Sequence, residues 1–198
     1  MKQLKLLPLV LMLAWVVACG SREVLQPLAA GNAGQTSFAG DWHLRGDREL
    51  IDRKIEQAIR RTDDVRDGQI LAPVADPARR QRRSTGLVKG GLVYVFLQNG
   101  EALKISQAET ALFVSFDRAV VEEYRFGENR AITVGQAEAQ RVSGWVGNDY
   151  LIQTLGRNGM KLSERYQLSG DRQTLTRTIT FRSSGGIEET VTELFSRR

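Results

Sequence analysis

Met160-Lys161-Leu162-Ser163-Glu164-Arg165-Tyr166-Gln167-Leu168 alternates apolar and polar residues with a period of two. Thr174-Leu175-Thr176-Arg177-Thr178-Ile179-Thr180-Phe181-Arg182 repeats the pattern after a turn signal at Ser169-Gly170-Asp171-Arg172. Successive side chains of a strand point to opposite faces, so this period predicts two half-buried strands joined as a hairpin. Glu164 and Arg177 interrupt the two apolar faces, and the hairpin sets them opposite or diagonal to one another. An inner charge pair is therefore expected, because an unpaired buried charge is costly and a paired one nearly neutral. Such a pair either serves the structure or binds a polar ligand.

The same grammar extends in both directions from the hairpin. A last strand covers 187–195. Earlier strands are expected at Leu103 and Ile105 and over 112–116, 120–126, 131–134, 141–145 and 150–155, punctuated by Asp117-Arg118, Gly127-Glu128-Asn129, Gly135 and Gly147-Asn148-Asp149. Turn signals at this spacing predict a mainly β fold, an antiparallel meander forming a small barrel or sandwich. The run Gly90-Gly91-Leu92-Val93-Tyr94-Val95-Phe96-Leu97-Gln98 is continuously apolar, so periodicity alone does not separate strand from helix; its β-branched and aromatic content favours strand. A first strand begins at Phe38, with Phe38, Gly40, Trp42 and Leu44 on one face. One amphipathic helix, 47–62, is inserted after it: Ile51, Ile55, Ala58, Ile59 and Thr62 recur at helical spacing, and Asp47 is the N-cap. Residues 63–86, with Asp67-Gly68, Pro73 and Pro77, read as a linker. Its Arg79, Arg80, Arg82 and Arg83 either contact an anionic surface or form a solvated run.

At the N-terminus, Lys2 and Lys5 precede an uncharged apolar run of 13 residues, Leu6 through Ala18. That is the charge pattern of a signal peptide, and the run is shorter than the roughly 20 residues a spanning helix needs. Val16-Val17-Ala18-Cys19 resembles the lipobox of bacterial lipoproteins. The resemblance implies removal of residues 1–18 and lipidation of Cys19, the only cysteine in the chain. Gly20 and Ser21 stand where an aspartate would retain such proteins at the inner membrane, so the resemblance implies the outer membrane, facing the periplasm. Residues 19–37, small and polar, read as a lipidated flexible tether, and 38–198 as the β domain. Removal of the two lysines leaves 26 basic residues against 23 acidic ones. With no basic face interleaved with aromatics, a nucleic-acid partner is not expected.

Catalytic chemistry finds little to work with. His43 is the single histidine, pointing away from the face of Trp42, and no G-x-S-x-G turn or second thiol accompanies it. Glu122-Glu123 and Glu188-Glu189 are sequence neighbours on strands and so face opposite sides, which removes them as an acid/base dyad. Neither metal-ligand spacing nor a glycine-rich phosphate loop is present, and no cofactor is expected.

Gly40-Asp41-Trp42 resembles the G-x-W of the first lipocalin strand, and Asn148-Asp149-Tyr150 a second lipocalin motif. That resemblance implies a tryptophan closing the barrel base with an arginine packed across it. Ser143-Gly144-Trp145 and the stretch from Tyr166 to Asp171 are similar to bacterial lipoproteins of unassigned function. The expectation is a non-enzymatic, membrane-anchored envelope protein whose β domain binds an apolar ligand or a protein partner, with Trp42, Trp145, Tyr166 and Phe181 lining or plugging the interior. The alternative is an assembly or scaffold protein that meets anionic surfaces through its helix and Arg-rich linker.

Overall fold

The computed structural model describes residues 23–31, 36–62 and 93–198. The expected signal peptide, Cys19 and the linker with Arg79, Arg80, Arg82 and Arg83 lie outside these residues.

Alternation becomes strands wherever it was read. The order is β1 (Gly40–Leu44), α1 (Arg48–Thr62), a 3-10 turn (Val93–Phe96), then β2 (Ala102–Gln107), β3 (Ala111–Phe116), β4 (Val120–Arg125), β5 (Asn129–Val134), β6 (Ala137–Val146), β7 (Asp149–Gly156), β8 (Lys161–Leu168), β9 (Thr174–Arg182) and β10 (Glu188–Arg197). All ten strands are antiparallel members of one sheet, ordered β4-β3-β2-β1-β10-β9-β8-β7-β6-β5. A single curled sheet, a half-barrel, settles the choice between barrel and sandwich. β1 pairs with β2 on one side and β10 on the other, so the start and end of the domain are neighbours. The edge strands β4 and β5 do not pair with one another; Phe126, just past β4, instead bridges to Ser143 of β6.

The concave face carries the core, and its position is dictated by the period of two. On β9, Leu175, Arg177, Ile179 and Phe181 are all fully buried, while the intervening residues are half-exposed. Helix α1 lies across this face. Its stripe of Ile51, Ile55, Ala58 and Ile59 packs with Ile179, Phe181, Leu162 and Val191, and Asp47 Oδ1 accepts from the backbone N–H of Glu49 at 2.8 Å as the N-cap.

Two readings need correction. The strand favoured for 90–98 is a 3-10 turn at Val93–Phe96 followed by non-repetitive chain. It runs inside the curl, and Val93, Tyr94, Phe96 and Leu97 are each at most 2 % exposed. Burial on all sides, rather than sheet pairing, explains the unbroken apolar run. The segment expected as a free tether is docked over 23–31, where Leu25 is 3 % exposed and packs on Val142 and Leu155 of the outer sheet face.

Candidate functional site

The interior is built in three layers. At one end Phe38, Trp42, Trp145, Tyr150, Leu175 and Phe195 form an aromatic base, with Phe38 stacked on Trp145 at 5.6 Å between centroids and Tyr150 edge-on to Trp145 at 5.3 Å. At the other end α1 and the 93–97 segment fill the curl against Leu162, Ile179 and Phe181. Between them lies an ionic layer centred on Arg177.

Arg177 and Glu164 stand diagonally on β9 and β8, because Glu164 pairs with Ile179 and Arg177 with Tyr166. Both side chains are buried, and Arg177 Nη2 and Nε donate to Glu164 Oε2 at 2.5 and 3.1 Å. The pair is part of a larger cluster. Arg177 Nη1 donates to Glu193 Oε2 at 2.9 Å and to Asn99 Oδ1 at 3.2 Å, and Nη2 to the Gln98 carbonyl at 2.7 Å. Glu193, fully buried, accepts in turn from Arg48 Nη1 at 2.8 Å. Arg48 also pairs with Asp52 at the surface. The guanidinium of Arg177 lies over the rings of Phe116 and Tyr166 at 5.4 and 5.7 Å. Burial alone would draw protons off it; the Tyr166, Glu164 and Glu193 groups outweigh that and hold its pKa well above the usual arginine value. The Tyr166 phenol is pushed far up, chiefly by burial. Asn99 Nδ2 is buried without a hydrogen-bond partner among the described residues.

A second cation reinforces the wall where the sheet edges approach. Arg141 on β6 donates to Glu122 Oε2 of β4 at 3.1 Å and to Thr154 Oγ1 at 3.2 Å, and lies over the Tyr124 ring at 5.4 Å. These bonds tie β4 to β6 across the unpaired seam.

The base carries the arrangement that the lipocalin likeness implies. Arg197 of β10 sits over the Trp42 ring at 4.4 Å, and its Nη1 and Nε donate to the carbonyls of Ala39 and Arg172, both at 3.0 Å. Trp42 Nε1 donates to the Phe38 carbonyl at 3.0 Å. Sequence reasoning did not pick out Arg197, although the pairing of Trp42 with Arg197 follows once β1 and β10 are neighbours.

Trp42 and Trp145 are thus in the aromatic base, Tyr166 packs on that cluster from under the Arg177 guanidinium, and Phe181 is in the helix-side layer. All four are at most 4 % exposed, so they plug the interior. Glu193 was missed by sequence reasoning, but Val191, Glu193 and Phe195 share one face of β10, and the rule that found Arg177 finds it too.

His43 lies on the outer wall, half-buried, lining a shallow groove of about 640 Å³ with Asp41, Lys104, Asp117, Arg118 and Arg198. Asp117 and Arg118 form a tight turn with positive φ of 49° and 57°. Asp117 Oδ1 anchors that turn by accepting from the Ala102 N–H at 2.8 Å. Among the described residues, no group of three His, Cys, Asp or Glu side chains is placed to hold a metal ion.

No family model matches this chain, and no curated protein matches it. Solved structures are similar in outline. One is a secretory abundant heat soluble protein of Ramazzottius varieornatus, 13 % identical, covering 82 % of this chain and 96 % of that one, with a TM-score of 0.47. A REP1-NXSQ fatty acid transporter is 10 % identical over 81 % of this chain and 95 % of its own, TM-score 0.45. Zebrafish ileal bile acid-binding protein in complex with cholic acid is 12 % identical over 81 % and 98 %, TM-score 0.41.

Proposed function

We propose that this chain is a membrane-anchored cell-envelope lipoprotein, held through Cys19 at the outer membrane and facing the periplasm, whose non-enzymatic β domain works by binding a protein partner on its outer surface. The observation that carries the reading is the packing of the concave face. Among the described residues, Trp42, Tyr166, Leu175, Arg177, Ile179, Phe181 and Phe195 of this face are each fully buried, packed against one another and against the chain that crosses the curl. Where a barrel of this kind could hold an apolar guest, the chain places its own residues 93–97. The charges of the middle layer are likewise turned on one another. Helix α1 spends its apolar stripe on the sheet, which leaves no wide apolar face for it to lie in a membrane.

Native mass spectrometry of residues 20–198, purified from a lipid-containing lysate, tests this. The expected result is a bare mass; a co-purifying lipid or other apolar guest would replace surface recognition by interior carriage. Anchoring is tested separately by the mass of the N-terminal peptide and by Cys19→Ala, which is expected to release the protein from the membrane fraction. The scaffold reading rests on Arg79, Arg80, Arg82 and Arg83. Replacing the four with glutamine tests it through binding to anionic vesicles, and unchanged binding removes it.

A further inference from the structure

The docked segment 23–31 changes what an anchor at Cys19 would do. Glu23 pairs with Lys161 of β8 at 3.1 Å and with Arg182 of β9. Leu25 is buried on Val142 and Leu155, and its N–H donates to Gln140 Oε1 at 3.3 Å. Asn129 Nδ2 donates to the Leu25 carbonyl at 2.7 Å. Ala29 bridges to Trp145, whose N–H donates to the Ala29 carbonyl at 2.9 Å. The segment is therefore a strap, running over the outside of the sheet from β9 to β6.

Its first contacts lie at one end of the barrel. Lys161 and Arg182 are register partners, where β7 turns into β8 and β9 into β10. Ile187, in the β9–β10 turn, is 55 % exposed, and Val24, next to Glu23, is also 55 % exposed. Three residues separate Cys19 from Glu23, and the four Cα–Cα steps reach about 14 Å when fully extended. A free chain from Cys19 to the first strand would reach about 70 Å.

We propose that the end of the barrel formed by the β7–β8 and β9–β10 turns is a membrane-docking face, held against a phospholipid surface by the strap, with Val24 and Ile187 at the contact. This rests on the reading of Cys19 as the lipid anchor. The occupant is the bilayer itself, because a three-residue link leaves this end beside the headgroups whatever else the domain binds. Lys161 and Arg182 already serve Glu23, so the face depends on acyl anchoring and apolar contact more than on charge, and its lipid preference is weak.

The test uses the full-length lipidated protein in phosphatidylethanolamine/phosphatidylglycerol vesicles, with an environment-sensitive fluorophore on Ile187→Cys or, at the opposite end, on Asn148→Cys. The expected result is a blue-shifted emission at 187, quenched at least twofold more by lipid-borne quencher than at 148. Equal quenching at the two positions, in protein that floats with the vesicles, overturns the docking face and leaves the anchor standing. Protein that does not float, with an unmodified Cys19, removes the anchor and the docking face together. Glu23→Ala combined with Leu25→Ser frees the strap. It is expected to abolish the difference between the labels while flotation persists, and an undiminished difference overturns the role given to the strap.

Discussion

Arg177 shows what a charged residue inside a barrel requires. Its guanidinium is satisfied by Glu164, Glu193, Asn99 and the Gln98 carbonyl. Arg177→Met would strand the buried Glu164 carboxylate and leave Glu193 with Arg48 as its remaining cation. The expected cost is about 3–5 kcal/mol, measured by urea unfolding, because breaking one partner of a buried pair strands the other. Replacing Arg177, Glu164 and Glu193 together by apolar residues of similar volume is expected to cost far less than the single change, since no charge then remains unpaired. At this scale the sequence was legible for Glu164 and Arg177, as exceptions to a strict alternation. Asn99 was not legible, because it sits in a stretch with no periodicity.

At the scale of elements, the strap makes the sharpest prediction. Gly144 of β6 lies under it: a Cβ there would stand 2.5 Å from the Ala29 carbonyl oxygen and 2.8 Å from Leu28 Cβ. Gly144→Ala is expected to lift the strap while the sheet persists, costing on the order of 2 kcal/mol for re-exposing Leu25. Faster hydrogen exchange confined to 23–31 and its β6 contacts would show it. The strap also has an acid limit. The hydrogen bond from Arg182, together with Lys161, holds the Glu23 carboxyl below its ordinary range. A depressed folded pKa means the contribution is present above the unfolded value of about 4.3 and is lost as pH falls through the folded value. NMR shifts of 23–31 are expected to move toward unstructured values only below that range. Sequence reading took these residues as a tether, since Leu25 and Leu28 are too few to make a pattern; their burial depends on Val142 and Leu155, more than 100 positions away.

For the whole molecule, one continuous sheet with a filled interior predicts that burial is surrendered together. The phenols of Tyr124, Tyr150 and Tyr166 are all pushed up, in each case chiefly by burial. Raised folded pKa values give a contribution fully present below the unfolded tyrosine value near about 10 and lost as pH rises through the folded values. Alkaline titration is therefore expected to show these three phenols ionising in one cooperative step, coincident with loss of near-ultraviolet dichroism. Gradual titration, without unfolding, would contradict the packed interior.

Strand positions, the helix and the inward charge pair were determined by the sequence alone, because each depends on a local period: two for a strand, 3.6 for a helix, and a charge out of place in either. Only the tertiary structure decided the rest. The half-barrel in place of a sandwich, the coil of residues 93–97 inside the curl, the Arg197 stack on Trp42 and the strap all rest on contacts between distant segments. Such contacts leave no period in the chain; they exist only once β1 lies between β2 and β10 and the concave face must be filled.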